Sequence, residues 1–478
     1  MLFTEPTFLF LFLPILIGLY FAVSSVTVRN VLLVIASVIF YAKGGGAFTW
    51  LILISIVFNY WLAIAVSRAR ASSETRARRL LAVAVGVDLI VLGVFKYANF
   101  FADNLNALLR AIGADPVSAP HIVLPIGISF FTFHAISYVV DVYRKDAVAQ
   151  KSPVHAALYL LLFPQLIAGP IIRYRDIANQ LGRRVSDFDG FGEGVRRFII
   201  GLGKKMLIAN AVAVPADRIF AMPGGELSAA HAWLGLSCYT LQIYFDFSGY
   251  SDMAIGLGRM FGFRFPENFR WPYIAASVQE FWRRWHISLS SWFRDYLYVP
   301  LGGNRATPAR MYRNLVTVFF LCGLWHGASW NFVVWGLYHG SFLVAERVGL
   351  GALLKRLWPP LRHVYLLLAV MIGWVFFRAD SLMGAFLYLR AMAGLGTLEP
   401  TAFAPSFYLT PELILALAAG VVGSMPIGLM FERWRTRASA TPVWIFDTVA
   451  VAAFCLILAA SMLQVAAGSY SPFIYFRF

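Results

Sequence analysis

The sequence predicts an all-α integral membrane protein, a polytopic helical bundle of about 11–12 transmembrane helices with re-entrant or interfacial helices added to it. Three observations predict this. Of the 478 residues, 60% are hydrophobic and only 13% charged, with a mean hydropathy of +0.70, whereas soluble domains carry about 25% charged residues. Apolar stretches near the ~20 residues that cross a bilayer recur along the whole chain, for example 8–26, 48–66 and 443–465. The basic residues, finally, collect in the short segments between these stretches.

Taken in order, the expected spans fall at 8–26, 30–42, 48–66, 80–98, 122–142, 195–217, 232–257, 314–331, 332–346, 363–377, 409–431 and 443–465. A shorter apolar piece, 154–172, is expected to dip into the membrane and return. Lipid offers the backbone no hydrogen-bond partners, so each span must be helical. The segment 8–26 reads as a retained first span rather than a cleaved signal. Glu5 is the only charged side chain before Arg29, and no small-residue cleavage motif follows.

With Met1 outside, the inner loops hold Arg29, five arginines in 68–79, three cations in 144–151, eight in 173–205, nine in 259–313, four in 347–362 and three in 433–437. That places 33 of the 40 lysines and arginines inside and leaves Lys43, Lys96, Arg110, Arg218, Arg378, Arg390 and Arg477 outside. Short cytoplasmic loops are enriched in Lys and Arg, so both termini are expected outside. The formal charge of +16 is thus a record of topology and not the footprint of a nucleic-acid-binding surface. Cys238, Cys322 and Cys455 sit singly in apolar segments, without the paired spacing of a disulfide framework or zinc site, and read as packing residues. No internal repeat or low-complexity tract interrupts the chain, so one membrane domain is expected over 1–478, with its core motifs in 239–340.

Within 239–340 the composition departs from membrane filler. The run Tyr244-Phe-Asp246-Phe-Ser248-Gly-Tyr250-Ser251-Asp252 puts two carboxylates into a span. Buried carboxylates in lipid face a cavity or a partner, and the bland alternative is that Asp246 and Asp252 pair with arginines such as Arg259 and only hold the bundle together. After Asn268-Phe-Arg270-Trp271-Pro272-Tyr273 comes Glu280-Phe281-Trp282-Arg283-Arg284-Trp285-His286-Ile-Ser288-Leu-Ser290-Ser291-Trp292-Phe-Arg294-Asp295. Its interleaved Trp and Arg suit either an amphipathic helix on the cytoplasmic face, with Trp282, Trp285 and Trp292 at the interface, or a site for anionic groups.

The third element carries Cys322-Gly323-Leu324-Trp325-His326-Gly327 and continues to Trp335 and His339. His326 lies 12 residues beyond Asn314, which at 1.5 Å per residue is ~18 Å into a ~30 Å core. An ionisable group there is a functional-site hypothesis by default, and Gly323 and Gly327 permit close approach of a substrate or another backbone. If the chain turns near Asn331, His339 comes to a similar depth on the adjacent helix. No HExxH or equivalent metal-ligand spacing is present, so no metal is expected.

These motifs, with Leu124-Pro-Ile-Gly127-Ile-Ser-Phe-Phe-Thr-Phe133, Phe163-Pro-Gln165-Leu-Ile-Ala-Gly169-Pro170, Tyr298-Val-Pro-Leu-Gly302-Gly303-Asn304-Arg305 and the terminal Pro472-Phe-Ile-Tyr-Phe476, resemble the membrane-bound O-acyltransferase family over essentially the whole chain. The likeness is to the bacterial branch that O-acetylates alginate and related polysaccharides. The resemblance implies that His326 is the family's histidine and His286 its second position. It further implies that an acyl thioester donor, acetyl-CoA or an acyl carrier, arrives from the cytoplasm, with no cofactor tightly bound. On the same resemblance the acyl group is expected to pass through the bacterial inner membrane to a periplasmic acetyltransferase partner that finishes the job on the polymer, so that the polysaccharide acceptor is reached indirectly and membrane lipids are the other partner.

The residue chemistry fits that implication. A neutral imidazole with a pKa near 6.5 suits a general base that deprotonates a hydroxyl attacking a thioester carbonyl, and His326 takes this role. His286 or a nearby tryptophan N–H is the candidate donor to the tetrahedral intermediate. Arg283, Arg284, Arg294 and Arg305 are candidate contacts for donor phosphates, and Asp246, Trp325 and His339 complete the candidate substrate-binding set. Two other readings stay open: peptidoglycan O-acetylation or teichoic acid D-alanylation by the same chemistry, and a polysaccharide or lipid-carrier transporter in which His326 relays protons.

Overall fold

The computed structural model describes residues 1–223, 225–396, 403–437, 443–468 and 473–474, and among them it is helical with no strand. Two compact units form, one from Met1–Val195 with Ala254–Pro266, the other from Arg196–Met253 with Glu267–Phe478.

The first unit is built on three long helices, Val26–Gly45, Phe48–Ser72 and Glu74–Ala111. The last has 38 residues, about 57 Å at 1.5 Å per residue, well beyond the hydrocarbon core. The expected dip at 154–172 is two short helices, Pro153–Leu161 and Phe163–Leu166, broken at Leu162, whose ψ of 114° leaves the helical region. Ser37 on a neighbouring helix accepts the Phe163 N–H at 3.1 Å, supplying the partner that the break removes. Two sequence motifs meet here. Gly127 turns with φ +75°, and a Cβ on it would come within 2.9 Å of the Leu166 carbonyl, so only glycine lets the turn before Ile128–Arg144 rest on the Phe163–Leu166 segment.

The second unit holds the remaining long helices. Phe188–Phe220, which begins in the first unit, passes through a π-helical stretch at Lys204–Ala209, and Ala229–Met260 is likewise shared between the units at Met253. Pro308–His326 and Trp330–Ala345 form a helical hairpin. Glycines make it tight: a Cβ on Gly323 would sit 2.3 Å from the Phe332 carbonyl, and one on Gly336 would sit 2.3 Å from the Phe319 carbonyl.

Among the described residues six helices are long and apolar enough to cross a bilayer: 26–45, 48–72, 74–111, 188–220, 359–378 and 444–466. Several of the other expected spans are built as shorter or more polar helices. The helix at 8–22 stops short of Val26, and 409–431 is broken into Pro411–Gly423 and Ile427–Arg437 at Pro426, which has no N–H to give. Ala229–Met260 has the length, but it carries the carboxylates of Asp246 and Asp252.

Candidate active site

His326 is the last residue of Pro308–His326 and is 5% exposed. Its Nδ1 lies 2.7 Å from the Cys322 carbonyl one turn back. A carbonyl oxygen only accepts, so Nδ1 carries the hydrogen, and in the neutral imidazole the lone pair is on Nε2. The hairpin turn is fixed by Ser329, whose hydroxyl accepts the Asn331 N–H, and by the Asn331 amide, which donates to the Ala379 carbonyl at 2.5 Å. The imidazole is boxed by the rings of Trp325, Trp335 and Phe377, with centroids 5.0, 4.8 and 5.4 Å away. Its tautomer and its plane are therefore both set, as a general base requires.

His286 is fully buried and sits between two short helices, Val278–Arg284 and Ile287–Phe293, with φ +43° and ψ +55°. A side chain in this left-handed region costs about 1–3 kcal/mol, so the surroundings must hold it. Its Nδ1 lies 3.1 Å from Oδ1 of Asn268, and its ring packs edge-on against Phe247 at 4.6 Å. One amphipathic helix over 280–296 does not form. Trp282, Trp285 and Trp292 are 8, 3 and 6% exposed and lie inside the protein rather than at the membrane interface. Two of them pack on the rings around the histidines: Trp282 on His339 and Trp335, Trp285 on Trp374.

Trp325 and Trp335 join the three histidines. Trp325 lies against both His326 and His286, the latter at 6.3 Å, and Trp335 lies against both His326 and His339, the latter at 5.2 Å. His339 thus comes close to His326 on the adjacent helix, as the spacing predicts. A Cβ on Gly373 would meet its Nε2 at 2.6 Å, so the neighbouring helix leaves room for the imidazole. Neither ring nitrogen of His339 has a hydrogen-bond partner among the described residues, and the same holds for the indole N–H groups of Trp282 and Trp335. Buried polar atoms without partners are uncommon, and these four gather at His339, whose ring meets both indoles.

The carboxylates behave otherwise. Asp246 pairs with Lys205 at 2.7 Å and accepts the Ile474 N–H at 2.7 Å. Asp252 pairs with Arg197 and Lys204, each at 2.7 Å, and Arg197 also holds Glu267 at 2.6 Å. The pairing partner is therefore not Arg259. That residue lies 13 positions beyond Asp246, about 20 Å along the helix, and binds Glu193. The cations that do the pairing share a helix face, since Arg197 and Lys204 are seven residues apart. That spacing was the signal that could have found them.

The four candidate arginines are not gathered around the histidines. Arg284 is held by Glu280 at 2.8 Å and donates to the Arg270 carbonyl at 3.2 Å, while Arg294 pairs with the adjacent Asp295 at 2.7 Å. Arg283 and Arg305 are exposed. A cavity of 1030 Å³ in the same unit is lined by Arg197, Lys204, Tyr244, Asp252, Phe269 and Arg270 among others, and neither His326 nor His286 reaches its wall. Phe269 links the two regions, its ring stacking on His286 at 6.4 Å. Sequence reasoning included Asn268, Ser251 and Ser288 in its motifs but gave them no role, because the partners of an uncharged polar side chain are not legible along the chain. It also passed over Glu346, whose carboxylate accepts the N–H groups of Val278 and Gln279 at 2.7 and 2.9 Å and so fixes the start of the helix leading to His286. Among the described residues no cluster of His, Cys, Asp and Glu has the makings of a metal site.

The model of the membrane-bound O-acyltransferase family matches residues 126–387. A probable alginate O-acetylase AlgI from Azotobacter vinelandii is 44% identical, the alignment covering 100% of each chain. A peptidoglycan O-acetyltransferase from Helicobacter pylori is 34% identical over 100% of this chain and 98% of its own. A teichoic acid D-alanyltransferase from Bacillus subtilis is 29% identical over 55% of this chain and 69% of its own.

Proposed function

The chain belongs to the membrane-bound O-acyltransferase family, and from that premise we propose that this multi-pass membrane O-acyltransferase O-acetylates an exopolysaccharide such as alginate. The donor is a cytoplasmic acyl thioester, acetyl-CoA or an acyl carrier, and the acetyl group crosses the bacterial inner membrane to a periplasmic acetyltransferase partner. The observation that carries the reading is the buried His326, whose Nδ1 is committed to the Cys322 carbonyl, in a chain that aligns end to end with alginate O-acetylases.

The lone pair on Nε2 takes the proton of the acceptor hydroxyl as its oxygen attacks the thioester carbonyl. The tetrahedral intermediate then collapses, the C–S bond breaks, and the imidazolium returns the proton to the departing sulfur. The oxyanion needs a donor while it lasts. A neutral His286 with Nδ1–H committed to Asn268 offers an acceptor at Nε2, so the indole N–H of Trp335, 1% exposed and beside His326, is the better candidate. The transporter reading has no observation in its favour.

Peptidoglycan O-acetylation is the second reading, favoured by the end-to-end match to the Helicobacter pylori enzyme. Teichoic acid D-alanylation has a match over only 55% of the chain. Deleting the gene and measuring acetyl esters on exopolysaccharide and on peptidoglycan separates them. Loss of exopolysaccharide esters, restored by the wild-type gene and not by His326→Gln, is the expected result. Loss confined to peptidoglycan selects the second reading, and no loss on either polymer overturns both.

A further inference from the structure

We infer that Asn268 is a positioning residue that decides which nitrogen of His286 carries the proton and holds the strained backbone beneath it. The inference rests on the proposed reading of His286 as part of the acyl-transfer site. Asn268 and His286 are both fully buried. The orientation of the Asn268 amide follows from its neighbours. The backbone N–H of Ser288, which can only donate, lies 3.3 Å from Oδ1, and the Ser288 hydroxyl lies 2.9 Å from the same atom. At the other end Nδ2 donates to the Ser251 hydroxyl at 3.0 Å. An amide flipped the other way would set its NH2 against the Ser288 N–H, so the oxygen is fixed where it is. His286 Nδ1, 3.1 Å from that oxygen, must then be the protonated nitrogen.

The same residue acts on the backbone. Ile287 donates its N–H to the Asn268 carbonyl at 2.9 Å, immediately after the left-handed His286. Arg270 donates to the Arg284 carbonyl, also at 2.9 Å, closing the other side of this short pairing. Asn268 therefore orients both the imidazole and the peptide that carries it. The consequence for mechanism is specific: His286 enters the reaction with Nε2 as an acceptor.

The test is a double-mutant cycle with Asn268→Ala and His286→Ala in the full chain, read as acetyl ester content of the polymer in cells. A pH–rate profile of wild type and Asn268→Asp follows in isolated membranes supplied with radiolabelled acetyl-CoA. Asn268→Ala should lower transfer about tenfold or more with donor KM little changed, and should add nothing once His286 is alanine. Asn268→Asp keeps an acceptor for Nδ1–H but favours the imidazolium, so its acid limb should move to higher pH while the rate recovers on the alkaline side. Additive losses in the cycle, or an Asn268→Asp profile that superimposes on wild type, would overturn the inference. His286→Ala at wild-type transfer would instead overturn the placing of His286 in the site. Should Asn268→Ala fail to accumulate, the near-isosteric Asn268→Asp carries the test, and the cellular cycle stands whatever donor the membranes accept.

Discussion

Two polar regions lie buried in the second unit, and they use burial in opposite ways. Asp246 and Asp252 are both met by cations: Lys205 on the first, Arg197 and Lys204 on the second. His326 and His286 are instead each turned by a neutral oxygen, the Cys322 carbonyl or the Asn268 amide, and walled by aromatic rings. Paired charges in a low-dielectric interior cancel one another and hold helices together. A neutral acceptor takes the Nδ1 hydrogen and puts no charge beside the imidazole, which suits the general base proposed here. The comparison teaches that the carboxylates are held as ion pairs between helices, while the histidines, which we propose serve the reaction, are held by neutral partners.

The sharpest way to break it is His326→Gln. Glutamine can hydrogen-bond but cannot take the proton, so acetyl transfer should fall about 10²- to 10⁴-fold while the protein reaches the membrane at normal abundance. Ester analysis and quantitative blotting check both halves, and transfer within a few-fold of wild type would remove His326 from the catalytic role. The opposite signature is expected across the divide. Asp246→Ala leaves Lys205 buried without its partner and should destabilise by about 3–5 kcal/mol, seen as lost abundance and a lower detergent Tm. Replacing both residues by apolar ones of similar size should recover much of that stability. Activity lost at full stability would move Asp246 into the chemistry.

Trp335→Phe sharpens the histidine side, since it keeps a ring against His326 and deletes the indole N–H. A donor used at the transition state should cost about 10²-fold in kcat with donor KM near wild type, and an unaltered kcat would leave the indole a packing group. The smallest effect is expected from the arginines away from the histidines. Neutralising Arg283, Arg294 and Arg305 together should raise the donor concentration needed by several-fold and leave the maximal rate nearly intact; an unchanged donor dependence would make them interfacial anchors. Orientation is checked separately by single cysteines in a background lacking Cys238, Cys322 and Cys455. One placed at Ser73 should react only from the cytoplasmic side, and one at Pro116 only from outside.

Composition and periodicity alone determined that the chain is a helical membrane protein. That much follows from the solvent, because lipid leaves a backbone no partners except its own. His326 stood out in the sequence for a related reason: an imidazole deep in an apolar stretch is costly, and its flanking Gly323 could be read from the chain. Tertiary structure decided the rest. Which cation meets Asp246 depends on which helix lies alongside it, and the local arithmetic that suggested Arg259 carries no information about neighbours. The tryptophans of 280–296 looked interfacial because interleaved Trp and Arg have the same pattern at a membrane surface as around an aromatic core, and only packing tells the two apart. Asn268 gave no sign of its role, since an amide acquires meaning from the atoms its two ends meet. Ser251, Ser288 and His286 lie 17, 20 and 18 residues away along the chain, and only the folded chain brings them to hydrogen-bonding distance.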